Sequence, residues 1–305
     1  MKRRGLRGPN ALELKDLVGS ENTVIQLVDD SELGEIHARP SLGDYFKQLW
    51  QRRHYIIKDA RGKALQSERD LWLGRLWIIL RPLLDALLYG FMFGYILRTS
   101  RGIENFAGFL LLGITFYSIV SKALMSGTTL IRSNRGMLIF PFPRAALVVS
   151  QSLRHVLDSL PNVIIAVVVA LLLQWEKPLS WTIIFLPILF VLLHMFASGI
   201  IFLTARLCAH LPDMRFVISV GQRALFFISG IFFSVERFVD QPVVLAVMTA
   251  NPVYQFLTAI RDVTLYATVP DLSEWAYLIL WSTLTLAIGF VYFWSAEEKY
   301  ANVRS

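Results

Sequence analysis

Cysteine is nearly absent from this sequence of 305 residues, in which Cys208 is the only one. A single cysteine excludes a disulfide framework within one chain, and we interpret Cys208 as a small packed residue. Charged residues are also scarce, at 17%, whereas hydrophobic residues make up 55% and the mean hydropathy is +0.51. Soluble domains are less apolar than this, so the composition favours an integral membrane protein.

Sequence motifs for catalysis are missing as well. No G-x-x-x-x-G-K-[ST] phosphate loop occurs, so we expect the chain not to hydrolyse ATP itself. The histidines are dispersed and never spaced as H-x-x-x-H, which argues against a metal site. We therefore predict no catalytic residue, metal or cofactor in this chain, and we interpret His194 as a hydrogen-bonded packing residue. The polar N-terminal region has no early apolar stretch, so we expect no signal peptide.

Long apolar runs are what the sequence has instead. A bilayer core of roughly 30 Å needs about 20 apolar residues per helix. The stretches that fit are residues 76–98, 107–131, 147–173, 181–205, 216–234 and 275–294. We therefore predict an all-α integral membrane protein with six transmembrane helices.

Basic residues concentrate in particular connections between these runs. The segments 132–144 and 206–215 are basic, whereas 235–274 contains five acidic residues and two arginines. Because cytoplasmic loops carry an excess of Lys and Arg, both termini and both basic segments are predicted to lie in the cytoplasm. We predict a multi-pass protein of the plasma (inner) membrane, and we expect no nucleic-acid partner despite the net charge of +7.

The region before the first span divides into two predicted parts, a cytoplasmic tail over residues 1–40 and an interface helix with a polar link over residues 41–70. Residues 71–305 form the predicted transmembrane domain. Within 41–58, apolar residues recur on one helical face, and Ser41 followed by Asp44 is typical of a helix N-terminus. A basic amphipathic helix of this kind fits a membrane surface, and packing on a soluble partner is the alternative.

Two short apolar pieces, residues 242–250 and 252–269, precede the last span. Asn251 and Pro252 are suited to the N-cap and first turn of a helix. Both pieces are short for spanning, so we predict a re-entrant helix pair buried by protein. An outer loop carrying a surface helix is the alternative.

Several basic residues lie within the inner half of the predicted spans, where charge is costly and usually faces a cavity or a partner. Pairing at i,i+4 is one explanation, because Asp85 and Asp158 follow Arg81 and Arg154 at that spacing. The functional hypothesis is a cationic vestibule for an anionic head group such as a lipid pyrophosphate. Its predicted residues are Arg81, Lys122, Arg154 and Arg223.

Aromatic residues are dense, at 13% of the chain. Ring faces stack on the C–H faces of sugars while allowing sliding, which suits a polysaccharide path; lipid-facing packing is the alternative. The predicted aromatic path residues are Phe91, Phe93, Tyr95, Phe226 and Phe227.

Three stretches together resemble the permease subunit of an ABC-2 type transporter, in the branch that exports O-antigen, teichoic acid or galactan. They are "LGRLWIILRPLLDALLYGFMFG" (73–94), "SNRGMLIFPFPRAAL" (133–147) and "NPVYQFLTAIRD" (251–262). They are similar to that branch's opening span, its cytoplasmic FP-R loop and the NP-x-x…R element before its last span. The resemblance covers roughly residues 41–300.

The resemblance implies a homodimeric permease that exports a lipid-linked polysaccharide, with two separate ATP-binding cassette subunits binding ATP and Mg. It implies that the loop 132–146 and the helix at 41–58 dock on the ATPase. The implied coupling residues are Arg135, Phe140, Pro141, Pro143 and Arg144, and those of the re-entrant pair are Asn251, Pro252 and Arg261.

Three other functions stay open at this point. One is an ABC-2 exporter of drugs or lipids, and another is a non-catalytic assembly scaffold. The third is a membrane enzyme acting on polyprenyl-linked sugars, which would need paired acids with a metal. Asp85 and Asp158 are the only acids within the predicted spans, and neither lies in a D-x-D motif.

Overall fold

The computed structural model describes residues 41–66, 105–137, 142–174, 178–233 and 240–302, with isolated positions between 80 and 103. The predicted tail over residues 1–40 lies outside the described residues. The α-helices are α1 (Leu42–Gln51), α2 (Arg53–Gln66), α3 (Phe106–Ser133), α4 (Ala145–Leu172), α5 (Leu186–His210), α6 (Met214–Ile228), α7 (Pro242–Thr249), α8 (Pro252–Arg261) and α9 (Leu272–Trp294). These ranges contain no strand, so the all-α prediction is confirmed.

Four described helices are long and apolar enough to cross a membrane: α3, α4, α9 and the helix running over Trp181–His210. This confirms an integral membrane fold. Most of the predicted first span, 76–98, lies outside the described residues, and the fifth is represented by α6, which has 15 residues. The count of six spans therefore stays a prediction.

The predicted helix pair before the last span is also confirmed. α7 and the helix continuing through a π-helical turn to Tyr266 are bent by 80° at their junction. Asn251 caps α8 by accepting a hydrogen bond from the Val253 N–H at 3.0 Å, and Pro252 occupies the first turn. Proline fits there because that position has no intrahelical acceptor for an N–H.

α1 begins where the sequence predicts, because the Ser41 hydroxyl oxygen accepts a hydrogen bond from the Asp44 N–H. It ends sooner than predicted, at Gln51, and Arg52 separates it from α2. The polar stretch from residue 58, predicted to be a link, is helical as far as Gln66. Lys63 pairs with Asp59 on the same face of α2 at 2.9 Å, an i,i+4 contact that supports a polar helix.

α3 forms the centre of the bundle and packs against α4, α5, α6 and α8. α5 in turn packs along α9, and Gly199 and Gly289 lie at their crossing. A Cβ added to Gly289 would lie 2.5 Å from the Gly199 carbonyl oxygen. The two backbones are therefore in direct contact at a point where a side chain has no room.

The bundle has two ends with different contents. Contacts join α1, α2, residues 142–150 and the segment after α9 at one end, which we name the α1 end. Contacts join the start of α3, the end of α4 and the residues before α5 to α8 and the π-helical turn that follows it at the other, which we name the hairpin end. One polar junction lies at each end and holds the segments of that end together.

Candidate substrate path and coupling surface

Lys122 and Arg154 lie in one charged group on neighbouring helices. Arg154 Nε is 3.3 Å from Asp158 Oδ2, so the pairing alternative holds for this arginine. Lys122 on α3 is exposed and interacts electrostatically with Asp158 and with His155 of α4. The structure therefore brings two of the predicted head-group residues together, whereas Arg81 lies outside the described residues.

Arg223 lies apart, on an α6 face directed away from α3. Its side chain is exposed, and no residue of α6 is fully buried in the described chain. The residues that expose large apolar side chains on this helix are Phe216, Val217, Val220, Phe227 and Ile228. α6 thus presents a mixed apolar and cationic face that the described part of the chain leaves uncovered.

A polar seam between α3 and α6 escaped the sequence analysis. The Tyr117 hydroxyl donates to the Gln222 carbonyl oxygen, and the Gln222 side-chain amide donates to Ser121 Oγ at 2.9 Å. These contacts set the rotation of α6 and turn Arg223 away from α3. Tyr117, Ser121 and Gln222 carry no net charge and fit no motif, so only their pairing across two spans reveals them.

The predicted aromatic residues separate into packed and exposed ones. Phe226 contacts the rings of Tyr117 and Phe232, each at a centroid distance of 5.1 Å. Phe227 and Phe91 have exposed side chains, as a path or a lipid surface requires. Phe93 and Tyr95 fall outside the described residues.

Two histidines sit in hydrogen bonds between spans. His194 Nε2 lies 2.9 Å from Ser159 Oγ, and its Nδ1 lies 2.9 Å from the Phe190 carbonyl oxygen. His155 Nε2 lies 3.0 Å from Ser126 Oγ. The interpretation of His194 as a packing residue is thus confirmed.

At the hairpin end, Arg261 forms what we name the arginine junction. Its guanidinium donates to the carbonyl oxygens of Phe109 at 3.2 Å, Gly230 at 2.9 Å and Ile231 at 3.2 Å. The guanidinium carbon also lies 3.4 Å from the centroid of the Phe109 ring. One buried cation, 2% exposed, thereby ties α8 to the start of α3 and to the bend after α6.

Local geometry makes room for this arginine. Gly113 faces it, and a Cβ there would overlap the terminal guanidinium nitrogen. Gly230 has φ of +62°, a conformation that glycine adopts without strain, and it turns the chain so that successive carbonyl groups at 230 and 231 face Arg261. The NP-x-x…R resemblance marks Arg261 in the sequence. Its three acceptors are backbone carbonyl groups, which the sequence does not mark.

At the α1 end, residues 142–150 pack on α2. The Tyr55 and Phe142 rings meet edge to face with centroids 5.2 Å apart, and the Ser150 hydroxyl donates to Asp59 Oδ2 at 2.5 Å. Of the predicted coupling residues, Pro143 is buried and Arg135 lies in a short 3-10 turn. Phe140 and Pro141 lie outside the described residues.

Glu297, which follows α9, forms the second junction, named here the glutamate junction. The Tyr45 hydroxyl donates to Glu297 Oε2 at 2.7 Å, and the Arg144 N–H donates to Oε1 at 2.8 Å. Arg144 Nη1 is 3.5 Å from the same Oε1. The Tyr45 oxygen also accepts the Ala145 N–H at 3.0 Å. The sequence marks Arg144 through the FP-R resemblance but gives no signal for Glu297 or for its bond to Tyr45.

Burial controls the protonation of this junction. Tyr45 is fully buried and Glu297 is 3% exposed. Burial raises the pKa of the Glu297 carboxyl, and the hydrogen bonds from Arg144 and Tyr45 oppose that rise. Burial and the neighbouring Glu297 also raise the pKa of the Tyr45 phenol, which keeps the phenol a hydrogen-bond donor.

Besides the side that faces the bundle, α1 carries an exposed apolar stripe. Leu42, Phe46 and Trp50 recur at i,i+4 spacing and are 40%, 57% and 71% exposed. Tyr45, one position away, faces the bundle. α1 therefore presents apolar side chains to its surroundings as well as to the protein, as a helix at a membrane surface does.

Comparison with known proteins identifies the family that this sequence matches. The model of the family described as ABC-2 type transporter matches residues 61–265. This range contains α3 to α8 entirely.

Similar proteins cover most of the chain. The O-antigen export system permease protein RfbA of Myxococcus xanthus is 22% identical over 261 residues, which are 84% of this chain and 97% of that protein. RfbA of Klebsiella pneumoniae is 22% identical over 76% of this chain and 87% of its own length. The polysialic acid transport protein KpsM of Escherichia coli is 24% identical over 74% and 87%.

Proposed function

Because the chain belongs to the ABC-2 type transporter family, we propose that it is the membrane permease subunit of an ATP-driven exporter of lipid-linked polysaccharide. The observation that carries this proposal is the similarity to three polysaccharide export proteins along 74–84% of the chain. The substrate is made in the cytoplasm and crosses the plasma (inner) membrane. O-antigen, teichoic acid and galactan are the candidate cargoes.

A separate ATPase supplies the energy in this proposal. Two permease chains assemble with two ATP-binding cassette subunits, which bind ATP and Mg. The loop 132–146, with Arg135 and Arg144, docks on the ATPase together with α1. Support comes from the α1 end, where the described part of this loop, α1 and α2 pack into one surface.

Both termini and the α1 end lie in the cytoplasm. The described residues of the basic segments 132–144 and 206–215 and of the segment after α9 are at this end, and the described residues of the acidic connection 235–274 are at the other. The exposed stripe of α1 lies in the inner interface of the membrane. Residues 1–40 form a cytoplasmic tail, residues 41–70 include the interface helix, and residues 71–305 form the transmembrane domain.

The inner vestibule receives the pyrophosphate of the lipid carrier. Its proposed cations are Lys122 and Arg154, which both interact with Asp158, Arg223 on the exposed face of α6, and Arg81. Exposure of Lys122 and Arg223 supports this role, since a substrate must reach the cations. The proposed aromatic path, along which sugar rings slide, consists of Phe226, Phe227, Phe91, Phe93 and Tyr95.

Replacement of the vestibule cations tests the proposal. Lys122→Gln and Arg223→Gln should each lower export in reconstituted vesicles about tenfold or more, because each removes a charge-assisted contact to phosphate. ATPase subunits should still co-purify in wild-type proportion. Arg61→Gln, an exposed cation of α2, is the matched control.

Different results would select other functions. Unchanged export in both variants would remove Lys122 and Arg223 from the path. A purified chain that brings down no ATPase would contradict the exporter and favour an enzyme or a scaffold. Vesicles that export a drug or a free lipid, and no polysaccharide, would identify the other ABC-2 function.

A further inference from the structure

The glutamate junction joins three segments that are distant in the sequence. Glu297 is 252 residues from Tyr45 and 153 from Arg144. Tyr45 belongs to α1, Arg144 precedes α4, and Glu297 follows the last span. Tyr45 bridges the same segments, since its hydroxyl donates to Glu297 and its oxygen accepts the Ala145 N–H.

Each oxygen of the Glu297 carboxylate has its own partner. Oε2 accepts from the Tyr45 phenol, and Oε1 accepts from the Arg144 backbone and lies near its guanidinium. A buried carboxylate is stable only when paired and hydrogen-bonded in this way. Since the acceptors and donors come from different segments, the carboxylate stays satisfied only while the three segments keep their relative positions.

The segment that carries Glu297 is itself fixed to the last span. Tyr300 stacks on Phe293 with centroids 4.6 Å apart, and its hydroxyl donates to the Phe293 carbonyl oxygen at 3.0 Å. α9 continues from Phe293 to the close crossing with α5 at Gly289. A displacement of Glu297 is thus passed to α9 and from there to α5.

We infer that Glu297 is a positioning residue that couples the loop 132–146 and α1 to the last span, so that the three move as one unit. This inference rests on the proposed function, in which the ATPase acts on the α1 end. ATP-driven displacement of Arg144 would otherwise move the start of α4 alone. Through Glu297 the same displacement also moves α1 and α9, which multiplies the number of spans that one docking contact shifts.

The decisive measurement is the number of ATP molecules hydrolysed per polysaccharide exported, with the whole complex in vesicles. Glu297→Gln keeps the side-chain size but has one acceptor oxygen where Glu297 uses two. We expect this ratio to rise about fivefold, as for the loss of a typical coupling between sites, with ATPase turnover and assembly at wild-type level. Tyr300→Phe is the matched control, because it also removes one buried hydrogen bond of this segment, keeps the ring that stacks on Phe293, and leaves every bond of Glu297 in place.

A second variant covers the case in which Glu297→Gln fails to assemble. Tyr45→Phe removes a single oxygen, and with it both the bond to Oε2 and the acceptor of the Ala145 N–H, and it should raise the same ratio. Hydrogen exchange of residues 297–302 should be faster in either variant than in Tyr300→Phe. In the double variant Y45F/E297Q the ratio should rise no further than in one single variant, because both changes break the same link.

Two failures are distinguishable. If the wild-type complex exports no polysaccharide with ATP, the proposed function is wrong. If the wild type exports and both variants keep its ATP-to-cargo ratio while the segment 297–302 exchanges faster, Glu297 stabilises the fold but does not couple it. Equal ratios in Tyr45→Phe and Tyr300→Phe would likewise overturn the inference.

Discussion

The arginine junction and the glutamate junction each tie distant segments of the chain together around one buried charge, and the two charges have opposite signs. At the hairpin end, a buried cation donates to three backbone carbonyl groups. At the α1 end, a buried anion accepts from a phenol, a backbone N–H and a guanidinium. Each includes a bond between residues more than 150 apart in the sequence, and each is nearly inaccessible to water.

The difference lies in which atoms complete the site. Carbonyl acceptors belong to the backbone, so no substitution of the partner residues removes them, and Arg261 itself holds the arrangement. The glutamate junction instead depends on the side chains of Glu297 and Tyr45, to which Arg144 adds a backbone N–H and its guanidinium, and its carboxyl can take up a proton. The hairpin end is therefore held by backbone acceptors around one cation, whereas the α1 end is held by side chains that single substitutions can remove.

The largest effect is expected from breaking the arginine junction. Arg261→Met fills similar space but removes the side-chain donor to three carbonyl groups, at a cost of about 1–3 kcal/mol for each that stays buried without another donor. The yield of folded protein and the thermal unfolding temperature in detergent should both fall sharply. Arg261→Lys should recover only part of the loss, because an ammonium group lacks the planar fork of a guanidinium.

The control for that experiment is Glu297→Gln at the other junction. Its unfolding temperature should lie well above that of Arg261→Met, since the glutamine still fills the site and keeps one acceptor. Equal losses in the two variants would contradict the distinction between a backbone-bound and a side-chain-bound junction.

A smaller effect is expected from crowding the arginine junction without removing it. Gly113→Ala places a methyl group against the terminal nitrogen of Arg261, and overpacking a dense core typically costs about 1–3 kcal/mol. Gly62→Ala is the matched control: a Cβ there meets no atom within 4 Å, and alanine is the better helix former. Thermal unfolding of the two variants should therefore shift in opposite directions, and a common direction would show that Gly113 is not constrained by Arg261.

The smallest effect is a pH dependence of the glutamate junction. Burial raises the Glu297 pKa above its ordinary value of 4.5, so the folded chain keeps this proton to a higher pH than the unfolded chain. The contribution of Glu297 to stability is then greatest below pH 4.5 and declines as the pH rises through the raised pKa. The groups that face the carboxyl are Arg144 and the phenols Tyr45 and Tyr300, whose own pKa values are raised.

Unfolding temperatures of the wild type and Glu297→Gln, measured across this pH range, isolate that contribution. The wild-type value minus the variant value should fall as the pH increases. A difference that stays constant with pH would mean that Glu297 does not change its protonation on unfolding.

Local features of the fold could be predicted from the sequence. Ser41, Asn251 and Pro252 act within one helical turn of their own positions, and so does the ion pair of Arg154 with Asp158. Such contacts need only the helix geometry and the identity of neighbouring residues. The apolar runs likewise predict α3, α4 and α9 with boundaries close to those observed.

The junctions could not be predicted because their partners are set by packing across the bundle. Nothing near Glu297 in the sequence points to Tyr45, and the carbonyl groups that bind Arg261 carry no sequence signal at all. The continuation of α2 to Gln66 was missed for another reason: its stretch is polar, and its stability comes from packing on α4 and from the Lys63–Asp59 pair. Lys122, Arg223 and the coupling residues stay predictions until export is measured.

The crossing of α5 and α9 at Gly199 and Gly289 has a mechanical consequence. Two helices whose backbones already touch cannot approach or tilt toward each other at that point. They are therefore expected to move together as one rigid unit. Relative motion in the described bundle is therefore expected between this pair and its neighbours, not within it. α6 stands outside the pair and is joined to α3 through Tyr117, Ser121 and Gln222, so it can shift while α5 and α9 stay together.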